Sequence, residues 1–271
     1  MSISGAMNIG VAGLNAFGSA ISVLSDNVAN ANTTGFKSSH VRFGDLVSSY
    51  YVTQSPDTDR QGSGSAILGI STDFSEGFIQ TTSAWSDVAI NGEGFLNVRL
   101  LDATGAATGA TYYTRDGSLH MDRNGFLVNS QGYGVLDSGG APIRVEAAPA
   151  TPVYTNYTID ANGQIWGAPI AGGNAVTIGA PMRVTTFPNQ DGLLRHGNNL
   201  YQLGSQAGAP VDSVANTAST GSIISRAIET SNVDIASEMV TMIVYQADFN
   251  ANSKSITVGD NMLNTVVNLI R

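Results

Sequence analysis

Apolar side chains recur at heptad spacing near both ends of this 271-residue chain, with everything else between them. Toward the N-terminus Met7, Leu14, Phe17, Ile21, Leu24 and Val28 fall at alternating steps of three and four, with Gly10 in the missing slot. Toward the C-terminus Ile235, Met242, Phe249, Ile256, Leu263 and Ile270 are spaced by seven without a break, and Val240, Ile243, Ala247 and Val267 widen the stripe. Ser231 followed by Asp234 resembles a capping-box start, and no proline occurs after Pro210. The spacing predicts a helix over about 232–270, roughly 58 Å long at 1.5 Å per residue. Glycines at 10, 13 and 18 each cost roughly 1 kcal/mol relative to alanine. The first helix therefore needs a partner, and its glycines let the partner's backbone come close. Two amphipathic helices on an ordinary core are the plain alternative. Placement at the two ends favours pairing of the ends with each other, and with the same ends of other copies, as a coiled coil. The flanking polar positions are mostly Asn, Ser and Thr, so charge pairs contribute little to register, which is left to shape.

Between the ends the pattern changes. From about 88 to 215 short alternating runs, such as 87–90, 94–98 and 111–114, are separated by turn signals every eight to twelve residues, as in a small all-β domain. Asp122-Arg123-Asn124-Gly125-Phe126 and Asp160-Ala161-Asn162-Gly163-Gln164 repeat one pattern and read as hairpin turns. An EF-hand reading fails because the third acidic ligand and the terminal Glu are missing. The expected class is α+β: terminal helices pairing as a coiled coil, a central all-β domain, and extended linkers. The expected boundaries are 1–33 for the N-terminal helix, 34–87 for a linker, 88–215 for the β domain, 216–228 for a return linker and 229–271 for the C-terminal helix. Ser55-Pro56-Asp57-Thr58-Asp59 and Gln61-Gly62-Ser63-Gly64-Ser65 read as loop or extended linker.

Composition narrows the function classes. Only 12% of residues are charged, the formal net charge is −9, and the only lysines are Lys37 and Lys254. A nucleic-acid binder needs a basic surface to displace counterions, and an anionic membrane attracts the same charge, so both partners are excluded. No 18-residue stretch is continuously apolar, so no membrane insertion is expected. The absence of cysteine excludes disulfides, thiol catalysis and Cys-based metal sites. The first basic side chain is Lys37, so export by way of a cleaved Sec signal, which opens with a basic region, is not expected.

Catalytic patterns fare no better. Asp137-Ser138-Gly139-Gly140 resembles the nucleophile segment of trypsin-like proteases, but Leu136 and Ala141 stand where those enzymes have Gly and Pro. It reads as a Gly-rich turn. No G-x-S-x-G elbow or phosphate loop occurs, and His40, His120 and His196 are too scattered for a metal site. No enzymatic activity, cofactor or metal is expected.

One segment is specific. Asn27-Val28-Ala29-Asn30 followed by Thr33-Thr34-Gly35-Phe36-Lys37 resembles the N-terminal signature of bacterial flagellar rod and hook proteins. Asn27, Ala29, Asn30, Gly35, Phe36 and Lys37 are its signature residues here. The asparagines can end the helix, and Gly35 permits a left-handed turn. Four further segments are similar to the family in its order, 87–95, 113–118, 197–201 and 229–234, and 72–77 looks like a hook protein. Hook proteins usually insert an outer β-domain, and only about a dozen residues separate Val145 from Tyr157 here, a compactness that matches the distal rod protein. The terminal segments look more like a hook protein.

The resemblance implies a structural subunit of the flagellar axial tube, read as a short hook-type protein with a distal rod protein as the alternative. A secreted β-rich adhesin is the reading from a different class. The family implies export unfolded through the flagellar type III machinery, helical polymerisation with other copies around the export channel, neighbouring rod, hook or junction proteins, and transmission of torque. The self-assembly seam is then expected at Leu14, Phe17, Ile21, Leu24, Val28, Ile235, Met242, Phe249, Ile256, Leu263 and Ile270.

Overall fold

The computed structural model describes residues 3–47, 62–102, 104–146 and 153–269. The chain is mixed α+β, with a helix toward either end and a β-rich centre. It divides into two compact units. The described residues of 1–31, 38–73 and 233–271 form a helical unit; those of 32–37 and 74–232 form a β unit.

The helical unit holds α1 (Ile3–Ala29), β1 (Ser39–Val47), β2 (Gly62–Thr72) and α2 (Ile235–Leu269). Helix α1 ends where the Asn30 side chain donates to the Asp26 carbonyl at 2.9 Å and its carboxylate at 3.0 Å, a local competition that terminates helices. Helix α2 starts later than the sequence pattern suggests. The chain is still extended at Thr230, whose amide bonds the Phe78 carbonyl at 2.9 Å. The cap is Asp234, whose Oδ1 accepts the Ala236 amide at 3.0 Å, rather than Ser231.

The buried stripe of α1 is also displaced from the pattern of large apolar residues. Gly10, Gly13, Ala16, Ala20, Leu24 and Asn27 are buried, while Leu14, Phe17, Ile21 and Val28 are half-buried on its flank. Small residues win the inner face because α2 approaches closely there. A Cβ at Gly10 would lie 2.9 Å from Ile256 Cγ1, and one at Gly13 would lie 2.6 Å from Asn252 Oδ1. Phe17 instead packs its ring against Phe43 of β1 and Tyr245 of α2, at 5.3 and 5.8 Å between centroids.

Two linker expectations give way. Residues 39–47 and 62–72 form an antiparallel hairpin with two register irregularities, so Gly62-Ser63-Gly64-Ser65 is strand. Its glycines and serines hide the strand period, and pairing with β1 supplies what propensity does not. The stretch Ser55–Asp59 lies outside the described residues. In the β unit Ser222–Ser225 pairs with Val88–Asn91, and Ala227–Glu229 pairs with Ile79–Thr81. These strands of three or four residues are too short to show a period. By length and composition alone Ser4–Ala29 could cross a membrane, with an 18-residue window of mean hydropathy 1.4; in this unit α1 packs against α2 and the hairpin.

The β unit is built on a nine-stranded antiparallel sheet. Phe95–Leu101 lies inside it, paired with Ala107–Thr114, Tyr133–Val135 and Arg183–Thr186. Its core gathers Val88, Leu96, Val98, Leu127, Val135 and Met182, all essentially buried. One turn recurs five times, at 102–106, 122–126, 129–133, 137–141 and 160–164. In each, the first residue is Asp or Asn, and its Oδ1 accepts the amide of the fifth residue at 2.7–2.9 Å. In each, the fourth residue is a glycine with φ between +77° and +85°, a conformation glycine enters without strain.

Candidate functional site

All six segments that carry the family resemblance contribute to one place in the β unit. Residues 33–37 run into it as an irregular strand of chain. Thr34 Oγ1 donates to Asp116 Oδ1 at 3.0 Å, and the Thr34 carbonyl accepts Asn199 Nδ2 at 2.7 Å. The Gly35 amide donates to the Glu229 carbonyl at 2.8 Å. Gly35 has φ +66°, and a Cβ there would lie 2.5 Å from the Asp116 nitrogen, so both the backbone and the space demand glycine. Phe36 is buried beneath the Arg195 guanidinium, which stands 5.1 Å from its ring centroid and also bonds the Lys37 carbonyl.

Lys37 then enters a buried charge cluster. Its Nζ donates to Glu229 Oε1 at 2.5 Å and to the Ser75 carbonyl at 2.6 Å. Glu229 Oε1 also accepts the Gly77 amide at 2.8 Å, and its Oε2 lies 3.4 Å from Arg115 Nη1. Arg115 reaches on to the Gly92 carbonyl at 2.9 Å and lies over the Phe95 ring at 5.3 Å. Lys37 and Glu229 side chains are fully buried and Arg115 nearly so. Burial pushes the Lys37 ammonium below its ordinary pKa; the Glu229 charge and hydrogen bond oppose that shift, and the Arg115 charge adds to it. Two cations share one carboxylate, so Glu229 holds both the incoming segment and the strand before it. Nearby, Phe74 packs on Phe95 and Tyr201 at 5.5 and 5.2 Å.

The signature residues separate. Gly35, Phe36 and Lys37 are buried in this clamp. Asn27 is buried in the helical unit, Asn30 is half-buried, and Ala29 is exposed. Of the expected seam, Leu24 is buried, and Leu14, Phe17, Ile21, Val28, Met242 and Ile256 are half-buried. Ile235, Phe249 and Leu263 are exposed in the single chain, and Ile270 lies outside the described residues. Arg115, Glu229 and Arg195 were not singled out by the sequence. They stand far apart along it, and the one hint was Lys37 itself, one of two lysines, set in an uncharged surrounding.

Among the described residues no group of three His, Cys, Asp or Glu side chains could hold a metal ion. The clamp's contacts hold the chain to itself: the β unit grips its own incoming and outgoing strands. Such a site braces the β unit from within. The comparisons are more specific. Residues 7–37 match the family model described as flagella basal body rod protein, 89–167 match the flagellar hook protein FlgE/F/G D1 domain, and 224–269 match the flagellar basal body rod FlgEFG protein C-terminal. The flagellar basal-body rod protein FlgG of Bacillus subtilis is 32% identical over 271 residues, covering 97% of both chains. That of Borreliella burgdorferi is 33% identical, covering 93% of both. The flagellar hook protein FlgE of Brucella abortus is 40% identical over 141 residues, 51% of this chain and 32% of its own. The chain belongs to the flagellar hook and basal-body rod family and is a structural component of the bacterial flagellum.

Proposed function

We propose that this chain is a rod-type axial subunit that polymerises helically with its own copies, α1 and α2 pairing as a coiled coil in the wall around the export channel. The observation that carries the reading is the outer face of α2. Val240, Ile243, Val244, Met262, Val267 and Leu269 are all more than half exposed on a helix of 35 residues. Large apolar faces of this kind mark interaction sites. The inner face of α2, at Glu238, Met242, Tyr245, Asn252, Ile256 and Gly259, is the part shielded from solvent. Its steps of three and four suit coiled-coil pairing. The seam residues named from sequence fit this division: Leu24, Met242 and Ile256 turn toward the helix pair, and Ile235 and Leu263 toward neighbouring copies.

Rod-type is favoured over hook-type because the matches to the rod relatives cover nearly the whole of both chains, while the match to the hook relative covers 51% of this chain and 32% of its own. The hook reading keeps the terminal segments and the higher identity over its shared half. The role is architectural and not enzymatic; its partners are the same chain, axial neighbours and the flagellar export machinery. Electron microscopy of the concentrated protein tests the assembly: helical tubes are expected, and a monodisperse particle at every concentration would overturn it. Locating the protein in isolated basal bodies separates the two members, with rod-type expected below the outer-membrane ring and hook-type above it.

A further inference from the structure

We propose that Asn27, through its bond to Glu238, fixes the register in which α1 lies against α2. The proposal deepens the paired-helix reading above and rests on it. Asn27 is fully buried, and its amide makes three hydrogen bonds at once. Nδ2 donates to the Ser39 carbonyl at 2.8 Å and to Glu238 Oε1 at 3.0 Å, and Oδ1 accepts the Ser39 amide at 2.9 Å. Both amide hydrogens and the carbonyl oxygen are used, a set that neither Asp nor Leu could supply. One side chain thus ties the end of α1 to the start of β1 and to the first turn of α2.

Charge does little along the seam to distinguish one alignment from the next. Helix α1 carries a single charge, Asp26, so no ladder of ion pairs is available. Met242, Phe249, Ile256 and Leu263 recur every seven residues. A slip of one heptad would therefore return an apolar side chain to the places of Met242 and Ile256, although it would bring Asn252 or Glu238 to the place where Tyr245 packs on Phe17 and Phe43. The same slip would set Asn27 opposite Tyr245 or Ser231 and leave the buried Glu238 carboxylate without its amide donor. A buried polar group stranded in this way is what makes a single polar seam position specify register. At the other end Gly10 and Gly13, facing Ile256 and Asn252, admit the native alignment by lack of bulk. Gaps of this kind permit a register, whereas the Asn27–Glu238 bond selects it.

The cysteine-free chain makes the test direct. In the full-length protein the pair Gly18→Cys with Phe249→Cys reports the native register, since a Cβ at Gly18 would meet only Phe249 Cε2 at 3.9 Å, and Gly18→Cys with Met242→Cys or Ile256→Cys reports slips of one heptad. With Asn27 and Glu238 intact only the native pair should cross-link. Glu238→Leu leaves both Ser39 bonds in place, and it should raise the slipped cross-links roughly tenfold, the weight of one hydrogen bond to a charged group. Glu238→Gln retains an acceptor and should behave as the parent. It also shows that a change at this position does not by itself unfold the helices. Exclusive native cross-linking in Glu238→Leu would overturn the register role while leaving the pairing standing. Absence of the native cross-link with both residues intact would overturn the pairing and this proposal with it.

Discussion

The β unit and the helical unit treat their apolar surface in opposite ways. In the β unit Val88, Val98, Leu127, Val135 and Ile165 are sealed from solvent, and three of its buried charged side chains, Lys37, Arg115 and Glu229, meet in one cluster. In the helical unit Ile243 is 66% exposed and Leu269 is 80% exposed, and no residue from 260 to 269 is buried. The first closes a core of its own within one chain. The second leaves an apolar helix face open, which the proposed assembly would cover.

That contrast can be broken experimentally, and the largest effect is expected at the C-terminus. Removing residues 263–271 deletes Leu263, Val266, Val267, Leu269 and Ile270. Each would contribute roughly 1.5–3 kcal/mol on full burial, and only an assembly provides that burial for the described ones. Sedimentation should show assembly abolished, while thermal unfolding of the β unit stays where it was. A large fall in melting temperature would mean that the end of α2 already serves the single chain.

The next effect falls on the β unit alone. Glu229→Ala leaves Lys37 and Arg115 buried without their shared carboxylate, and breaking such a group by removing one partner costs about 3–5 kcal/mol. For a unit of this size that is a fall of about 10 °C in melting temperature. An unchanged melting curve would show that the clamp does not hold the β unit closed.

The smallest effect is a pH dependence confined to the same unit. Burial pushes the Glu146 carboxyl up, but hydrogen bonds from the Tyr157 hydroxyl and the Val153 and Tyr154 amides outweigh it, so its pKa lies below the ordinary 4.5. A lowered carboxyl contributes stability above the unfolded value and loses it as pH falls through the folded one. Tyr157→Phe removes one of those donors and brings the two values closer. Between pH 6 and 3 the melting temperature of the variant should therefore fall less than that of the parent. Equal falls would show that the hydroxyl does not stabilise the carboxylate.

The sequence was most legible where a local rule decides the structure. The turns at Asp122 and Asp160 followed from Asx chemistry and a glycine, and the turns at Asp102, Asn129 and Asp137 share the signal of Asp or Asn three residues before Gly. Heptad spacing located both helices but not the inner face of α1. Spacing weighs large apolar residues, whereas close approach to α2 selected Gly10, Gly13, Ala16 and Ala20. The β1–β2 hairpin was hidden because Gly62-Ser63-Gly64-Ser65 has no strand propensity of its own. Least legible was the clamp. Lys37, Arg115 and Glu229 are drawn from three distant stretches, and no spacing rule connects them. The resemblance marked the segments without saying that they meet.

The five Asx turns also bear on how quickly the β unit can form. Each closes a loop of a few residues using the side chain of its own first residue, so its hairpin depends on neighbours rather than on the rest of the fold. Contacts of such short sequence separation form on the microsecond scale and lower the entropy lost before the sheet rewards it. The pairing of Ile79–Thr81 with Ala227–Glu229 joins points about 150 residues apart and belongs at the other end of that scale. A chain built this way is expected to form its hairpins first and close its clamp last, so that amide protection around Lys37 in refolding hydrogen exchange should appear after that of the five turns, and earlier protection would show the reverse order.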